Sequence, residues 1–226
     1  MAPISIIIPT LDAADRLGPC LGAVGEALFD GVVREVIFAD GGSADTIAEV
    51  ADGVGARLID APRGRGTQLA AGAEAAVGEW LLFLHADTVL PEGWADAVRT
   101  HMAQHPDKAG WFRLAFDAKG AWPRWVAGWA NWRSRWLGLP YGDQGLLVSR
   151  RLYEEVGGYP AIPLMEDVAI ARRLRGRLRG LSGVVTTSAA RYQRDGWFRR
   201  GRRNLGTLLR YFLGVAPERL VERYRR

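Results

Sequence analysis

The chain has 226 residues, 48% apolar and 24% charged, which is the profile of one soluble globular domain large enough to bury a core. Its single cysteine, Cys20, excludes an internal disulfide and fits a reducing compartment. The formal net charge of +5 hides a gradient: residues 1–100 carry 6 Arg against 15 acids, and residues 191–226 carry 11 Arg against 3. Such polarity points the C-terminal part toward phosphate groups, acidic lipid or nucleic acid, unless the arginines only form a solvated face. No run reaches the roughly 18 apolar residues of a membrane span. The opening Met-Ala-Pro-Ile-Ser-Ile-Ile-Ile-Pro lacks a basic leader, so a cytoplasmic protein is expected, peripheral to the inner membrane face if it meets lipid at all.

In chain order, residues 4–9 read as a strand, and Asp12 is placed to cap a helix carrying Leu21, Val24 and Leu28. Residues 35–40 form a second strand, and Ser43 opens a helix through Ile47, Val50 and Val54. Residues 56–60 are a third, followed by the Gly/Arg turn Pro62-Arg63-Gly64-Arg65-Gly66 and a helix over 67–77. The fourth strand, residues 80–85, runs into His85-Ala86-Asp87-Thr88. Strands alternating with helices of this length predict βαβ units and a mostly parallel sheet. The second half is less regular. A helix follows Pro91, residues 111–116 are strand-like, and Tyr141-Gly142-Asp143-Gln144-Gly145 leads into a strand over 146–149. Glu166 and Asp167 open a helix through Leu174, residues 184–188 form the last strand, and an Arg-rich helix covers 197–213.

Ligands of open parallel sheets bind beyond the carboxyl ends of the strands. His85 and Asp87, two apart, point at one object there; an imidazole and a carboxylate suit a divalent cation carrying phosphate oxygens. The bland alternative is that Asp87 caps a turn. The Asp40-Gly41-Gly42 turn lets backbone approach a ligand, and Asp40 either accepts from a base or ribose or simply caps a helix. At Pro62–Gly66, Arg65 and the helix-start amides near Gly66 suit phosphate, though no Walker lysine follows.

Taken in order, these motifs resemble the GT-A-fold glycosyltransferases of family 2, over roughly residues 3–175. Residues 4–12 are similar to that family's first strand and turn, Asp40-Gly41-Gly42-Ser43 to its nucleotide turn, and His85-Ala86-Asp87 to its metal-binding Asp-x-Asp. Gly142-Asp143-Gln144-Gly145 resembles its acceptor-side loop and Glu166-Asp167 its general-base motif. The wording is nearest to a bacterial subgroup known as radical-SAM/selenodomain-associated transferase 2. The resemblance implies a single GT-A domain over 1–226, with a Rossmann-like, mostly parallel sheet flanked by helices. Residues 1–90 would bind nucleotide, 91–190 the acceptor, and 191–226 would form a basic helical tail. It implies inverting transfer from a nucleotide-diphosphate sugar, UDP-linked first of all, to a hydroxyl acceptor that is lipid-linked if the tail meets membrane. Asp87, with His85, would hold Mn²⁺ or Mg²⁺. Pro9, Thr10, Asp12, Asp40, Gly41, Arg65, Gly66 and Ala86 would contact the donor. Gly142, Asp143 and Gln144 would contact the acceptor, with Asp167 as base and Glu166 beside it.

Two departures stand out: His85 replaces the family's first Asp, and Asp12-Ala13 replaces Asn-Glu. The processive Gln-x-x-Arg-Trp is missing, against polymer synthesis. Trp122, Trp125, Trp129, Trp132 and Trp136 recur at helical spacing, flanked by Arg124, Arg133 and Arg135. Such a stripe packs on a core or a second copy of the chain, or lies at an anionic membrane interface. The rivals are a Rossmann-like methyltransferase using the Asp40 turn and a basic nucleic-acid module. A methyltransferase has no use for His85-Ala86-Asp87 or Glu166-Asp167, and no nucleic-acid motif appears, so no nucleic-acid partner is expected.

Overall fold

A computed structural model describes residues 2–27 and 30–225, with the side chains of 222–225 excepted; Leu28, expected on the first helix, lies outside the described residues. The sheet has eight strands in the order β3-β2-β1-β4-β7-β6-β8-β5. Its first half is parallel throughout: β1 (Ile4–Thr10), β2 (Val33–Asp40), β3 (Arg57–Asp60) and β4 (Trp80–Phe83). The helices α1 (Ala14–Gly25), α2 (Ile47–Gly53) and α3 (Arg65–Ala75) connect them. After β4 come β5 (Thr88–Val89), α4 (Trp94–Gln104), β6 (Ala109–Phe116) and α5 (Ala121–Leu137). Next are a short 3₁₀ turn (Gly142–Gln144), β7 (Leu146–Ser149), α6 (Arg150–Glu155), α7 (Glu166–Arg173) and β8 (Leu178–Thr187). The chain closes with α8 (Ala190–Asp195), α9 (Trp197–Phe212) and α10 (Pro217–Arg225).

Strand alternation builds the layers. Ile4, Ile6 and Ile8 of β1 and Leu82 of β4 turn one way, onto Leu17, Cys20, Trp94 and Val98 of α1 and α4. Ile7 of β1 and Leu81 and Phe83 of β4 turn the other way, onto Leu69, Ala73, Leu152 and Ile170 of α3, α6 and α7. Side chains that alternate between faces with period two can bury both sides of a sheet only if helices cover each. A third apolar cluster, Leu139, Met165, Val168, Ala171, Leu208 and Leu220, fastens α7, α9 and α10 together.

The pairing of β4 explains the site. β7 runs antiparallel to it, with Phe83 opposite Leu146. The His85–Asp87 segment just after β4 therefore faces the Gly142–Gln144 turn just before β7. Next along, β6 and β8 are parallel and end together, Phe116 opposite Thr187, delivering α8 and α9 to the same edge.

Several elements differ from the sequence expectation. The last strand starts at Leu178, not 184, because the polar, glycine-bearing stretch Arg179-Gly180-Leu181-Ser182-Gly183 pairs with β6 through a register shift. Asp12 does not cap α1: it sits at φ 47°, and the first amide of α1, on Ala14, donates to Asp45 Oδ2 instead (2.8 Å). Val54 lies past the end of α2 and is exposed. The Trp stripe is helical as expected, but all five indoles are exposed; α5 packs inward with Pro123, Val126, Ala127, Ala130, Arg133 and Ser134.

Candidate active site

A cleft of about 520 Å³ lies beyond the carboxyl ends of β1 and β4, within the range of about 300–1,000 Å³ usual for small-ligand sites. Pro9, Thr10, Arg65, His85, Ala86, Asp87, Asp143, Glu166 and Asp167 all line it. Far apart in sequence, these residues were expected to converge, and they do. Asp12, Asp40, Gly41, Gly66, Gly142 and Gln144 do not line the cleft, and their surroundings say why.

Asp40 is a construction point. Its Oδ1 accepts from Thr10 Oγ1 (2.8 Å) and Ser43 Oγ (2.5 Å), and its Oδ2 accepts from the amides of Gly42 (3.0 Å) and Ser43 (2.7 Å). Burial draws this carboxyl upward, but the Ser43, Thr10 and Gly42 hydrogen bonds outweigh it and hold the group below the ordinary carboxylate value. Four donors occupy its acceptor positions, which ties Asp40 into the turn. Asp12 belongs to the same lattice, accepting from the Ala44 amide (2.9 Å), and Gly41 packs beside Gln68. Gln68, which the sequence did not single out, donates through Nε2 to Thr10 O (2.6 Å) and Ala39 O (2.8 Å), tying the ends of β1 and β2.

Gly66 and Gly142 matter for close approach. A Cβ on Gly66 would lie 2.4 Å from Pro160 O, so α3 starts hard against that loop; Arg65 before it reaches Glu166 Oε1 at 3.4 Å. A Cβ on Gly142 would lie 2.3 Å from His85 Nε2. Gln144, expected at the acceptor, has a fully buried side chain. Its Oε1 accepts from Ser134 Oγ (2.6 Å) and the Tyr141 amide (3.2 Å), and its Nε2 donates to Phe112 O (3.1 Å).

The other acids are held differently. Asp167, in the first turn of α7, accepts at Oδ1 from the Val168 amide (2.7 Å) and at Oδ2 from the Gly142 amide (3.2 Å), where a helix N-terminus favours a carboxylate. Met165 before this pair is non-glycine yet sits at φ 67°, a conformation with a steric cost that fixes how α7 enters the cleft. Glu166 is buried, which pushes its carboxyl up to about 7, Asp167 adding and Arg65 opposing. Burial likewise pushes Asp143 up to about 6, against Arg133 and with Asp167 and Asp87 adding. Burial, reinforced by Arg65 and Arg191, holds the His85 imidazole neutral. Among the described residues, three buried polar atoms of the cleft lining have no hydrogen-bond partner: Asp143 Oδ1, His85 Nε2 and Arg133 Nη2.

Arginines complete the walls: Arg16, Arg63, Arg65, Arg133, Arg191 and Arg200. Arg133 departs from its sequence expectation. Rather than flanking the Trp stripe, it falls among the inward positions of α5, its guanidinium 3.3 Å from the Tyr141 ring centre and its Nε donating to Leu139 O (2.8 Å). Arg200, Asn204 and Leu205 of α9 form a wall that no local signal announced.

An α/β sheet with acids and arginines converging at its strand ends has the layout of the GT-A architecture, and its structural likenesses agree. The fold matches the first 349 residues of Staphylococcus aureus TarS, solved with UDP-GlcNAc, at a TM-score of 0.65 with 14% identity, covering 82% of this chain and 58% of that one. It also matches the Mycobacterium tuberculosis glucosyl-3-phosphoglycerate synthase solved with Mn²⁺, UDP and glucosyl-3-phosphoglycerate, at 0.56 with 17% identity over 82% and 70% of the two chains. Residues 5–151 match the model of glycosyl transferase family 2, and the chain belongs to that family. This decides against the methyltransferase reading. Among curated proteins, the PGL/p-HBAD biosynthesis glycosyltransferase of Mycobacterium bovis is 38% identical over 95 residues, 39% of this chain and 36% of that protein. The chain thus spans about a third of the length of the curated relatives it matches.

Proposed function

We propose that the cleft transfers a glycosyl group from a nucleoside diphosphate sugar to an acceptor hydroxyl, inverting the anomeric carbon. The observation that carries this is the facing of an acid group, Asp87, Asp143, Glu166 and Asp167, with a wall of arginines in one cleft. Arginines suit the diphosphate. The acids suit a cation and a proton acceptor, and family membership and the donor complexes of the structural relatives support the same reading.

A divalent cation fits these residues. Burial, with neighbouring acids adding, raises the Asp143 and Glu166 carboxyls, and Asp143 Oδ1 has no partner, so the cluster has room for a further positive charge. Among the described residues, no three His, Cys, Asp or Glu side chains already form a metal cage. A cation held by one or two carboxylates together with substrate phosphates needs no such cage. Asp87 would hold it, with His85, packed on Gly142, ordering the loop. Bound there, Mn²⁺ or Mg²⁺ supplies positive charge for the leaving diphosphate.

Asp167 takes the acceptor proton. Each of its oxygens accepts one amide hydrogen bond and keeps a lone pair, so the carboxylate is oriented without being consumed. As the acceptor oxygen bonds to the anomeric carbon, its proton passes to Asp167 and the carbon–oxygen bond to the diphosphate breaks, the electron pair leaving on the diphosphate. Arg65 and Arg191 stabilise the charge that arrives there, and Glu166 fixes Arg65. UDP-sugars are the first donors to try. We further assign the chain to the radical-SAM/selenodomain-associated transferase 2 subgroup, on its His85-Ala86-Asp87-Thr88 and Gly142-Asp143-Gln144 wording.

A thermal-shift panel of UDP, GDP, CDP, ADP and S-adenosylmethionine, each with Mn²⁺ and with EDTA, tests this. One nucleoside diphosphate should shift the melting temperature in a metal-dependent way; at about 100 times its dissociation constant it contributes about 2.7 kcal/mol. A shift with S-adenosylmethionine alone rejects the reading.

A further inference from the structure

The feature that catalysis does not use is the outer face of α5. Trp122, Trp125, Trp129, Trp132 and Trp136 all project from it into solvent, Trp125 at 64% and Trp136 at 67% exposure. Exposed indoles on this scale are abnormal for a free surface, since contiguous apolar patches mark interaction sites. Five of the nine tryptophans stand on this one helix. Beside it, α9 exposes Phe198, Leu205, Leu209 and Phe212, and Leu213 follows at its end. The two helices touch, and Trp129 and Leu205 stand on the walls of the cleft itself. The exposed apolar surface therefore runs up to the mouth of the site.

Charge identifies what covers it. Five arginines of α5 and α9 are exposed, Arg124, Arg135, Arg199, Arg202 and Arg210, and neither helix carries a carboxylate. At the far end of α5 a second groove, about 1,010 Å³, runs between that helix and the edge formed by β6 and β8. Its floor is apolar, with Trp111 and Leu181 buried, and its rim carries Arg113, Arg135, Arg175 and Arg179, all exposed. Among the described residues no carboxylate pairs with any of these four; Arg135 lies over the Trp136 ring instead. A second copy of the chain laid on this face would set arginine against arginine. A protein partner would need an acidic rim around an apolar centre. An anionic bilayer offers both at once, because indoles and arginines settle at the headgroup level and basic residues are drawn to its negative surface.

We propose that the outer face of α5, with the exposed face of α9 and the Arg113–Arg135–Arg175–Arg179 rim, is a docking surface for an anionic lipid bilayer. The protein lies on the membrane: among the described residues no helix is long and apolar enough to cross one. Docked this way, the cleft mouth between Trp129 and Leu205 opens at the headgroup layer. Resting on the function proposed above, the acceptor hydroxyl then belongs to a molecule with an apolar anchor.

Vesicle flotation of the full chain tests the surface without any turnover. Vesicles of phosphatidylcholine mixed with phosphatidylglycerol should carry the protein up at low salt and release it as salt rises, and pure phosphatidylcholine should carry much less. Trp125→Asn/Trp136→Asn and Arg175→Glu/Arg179→Glu remove exposed groups outside the cleft. Each double variant should lose about tenfold or more in vesicle affinity, with unchanged nucleoside diphosphate binding as proof of an intact fold and site. Absence of flotation, flotation indifferent to both variants, or a wild-type dimer dissociated by the Trp variant each overturns the proposal. Nucleotide binding without flotation removes the docking surface alone. Flotation without nucleotide binding removes the transferase reading alone.

Discussion

At the Asp40 turn both carboxylate oxygens are supplied with donors; across the cleft, one oxygen of Asp143 has none. Both acids stand at the carboxyl edge of the same sheet, and both look like functional residues in the sequence. The difference separates building from binding. A buried carboxylate whose donors come from its own fold is held below its ordinary value and has nothing left to offer. Its counterpart, pushed up to about 6 and only partly offset by Arg133, has capacity that a cation and an incoming ligand can use. Glu166 and Asp167, which both line the cleft, divide along another line: the first is buried and bound to Arg65, the second is half-buried and oriented by two amides.

The largest effect should come from Asp167→Asn, which keeps the side chain's size and removes the proton acceptor. Transfer should fall by about 10²–10⁴ while calorimetric nucleotide binding stays within twofold or so; full activity in the variant sinks the base assignment. Next is stability. Asp40→Ala strands the Thr10 and Ser43 hydroxyls and two amides, and should cost about 2–4 kcal/mol in urea unfolding. Asp143→Asn removes a carboxylate that is costly to ionise, and should change stability by less than about 1 kcal/mol. Equal losses at the two positions would erase the distinction drawn between them.

A further effect concerns pH. Because burial raises the folded-state Glu166 carboxyl from 4.5 to about 7, the folded protein holds that proton more tightly than the unfolded chain. The contribution of this group is complete below pH 4.5 and is lost as pH rises through about 7. Glu166→Gln should therefore flatten the fall in melting temperature across that window. An unchanged slope would show that Arg65 already compensates the charge.

Much of this was legible in the sequence, for identifiable reasons. The continuous apolar runs at Ile4 and Leu81 could only be strands covered on both faces, and the ordered acidic motifs after them announced the cleft. The partition of those strands between two helical layers follows from alternation alone. What stayed hidden depends on chain segments far apart in sequence. Gln144 looked like a loop polar group until Ser134 and Phe112 closed over it. Asp45, not Asp12, satisfies α1 because two strand-end loops interlock. Arg133 was readable, since the 126-130-133 spacing marks an inward face complementary to the indoles. The wall given by Arg200 and Leu205 was not, because only the parallel ends of β6 and β8 bring α9 to the cleft.

Joint binding of a donor diphosphate and a cation at the Asp87 acid cluster is the proposal on which the rest depends. Its most direct test is calorimetric binding of the nucleoside diphosphate that the thermal panel selects, to the wild type and to Asp87→Asn, with Mn²⁺ and with EDTA. Mn²⁺ should strengthen wild-type binding by about tenfold or more, and Asp87→Asn should keep the metal-free affinity but lose the increment. An increment undiminished in Asp87→Asn would contradict the assignment.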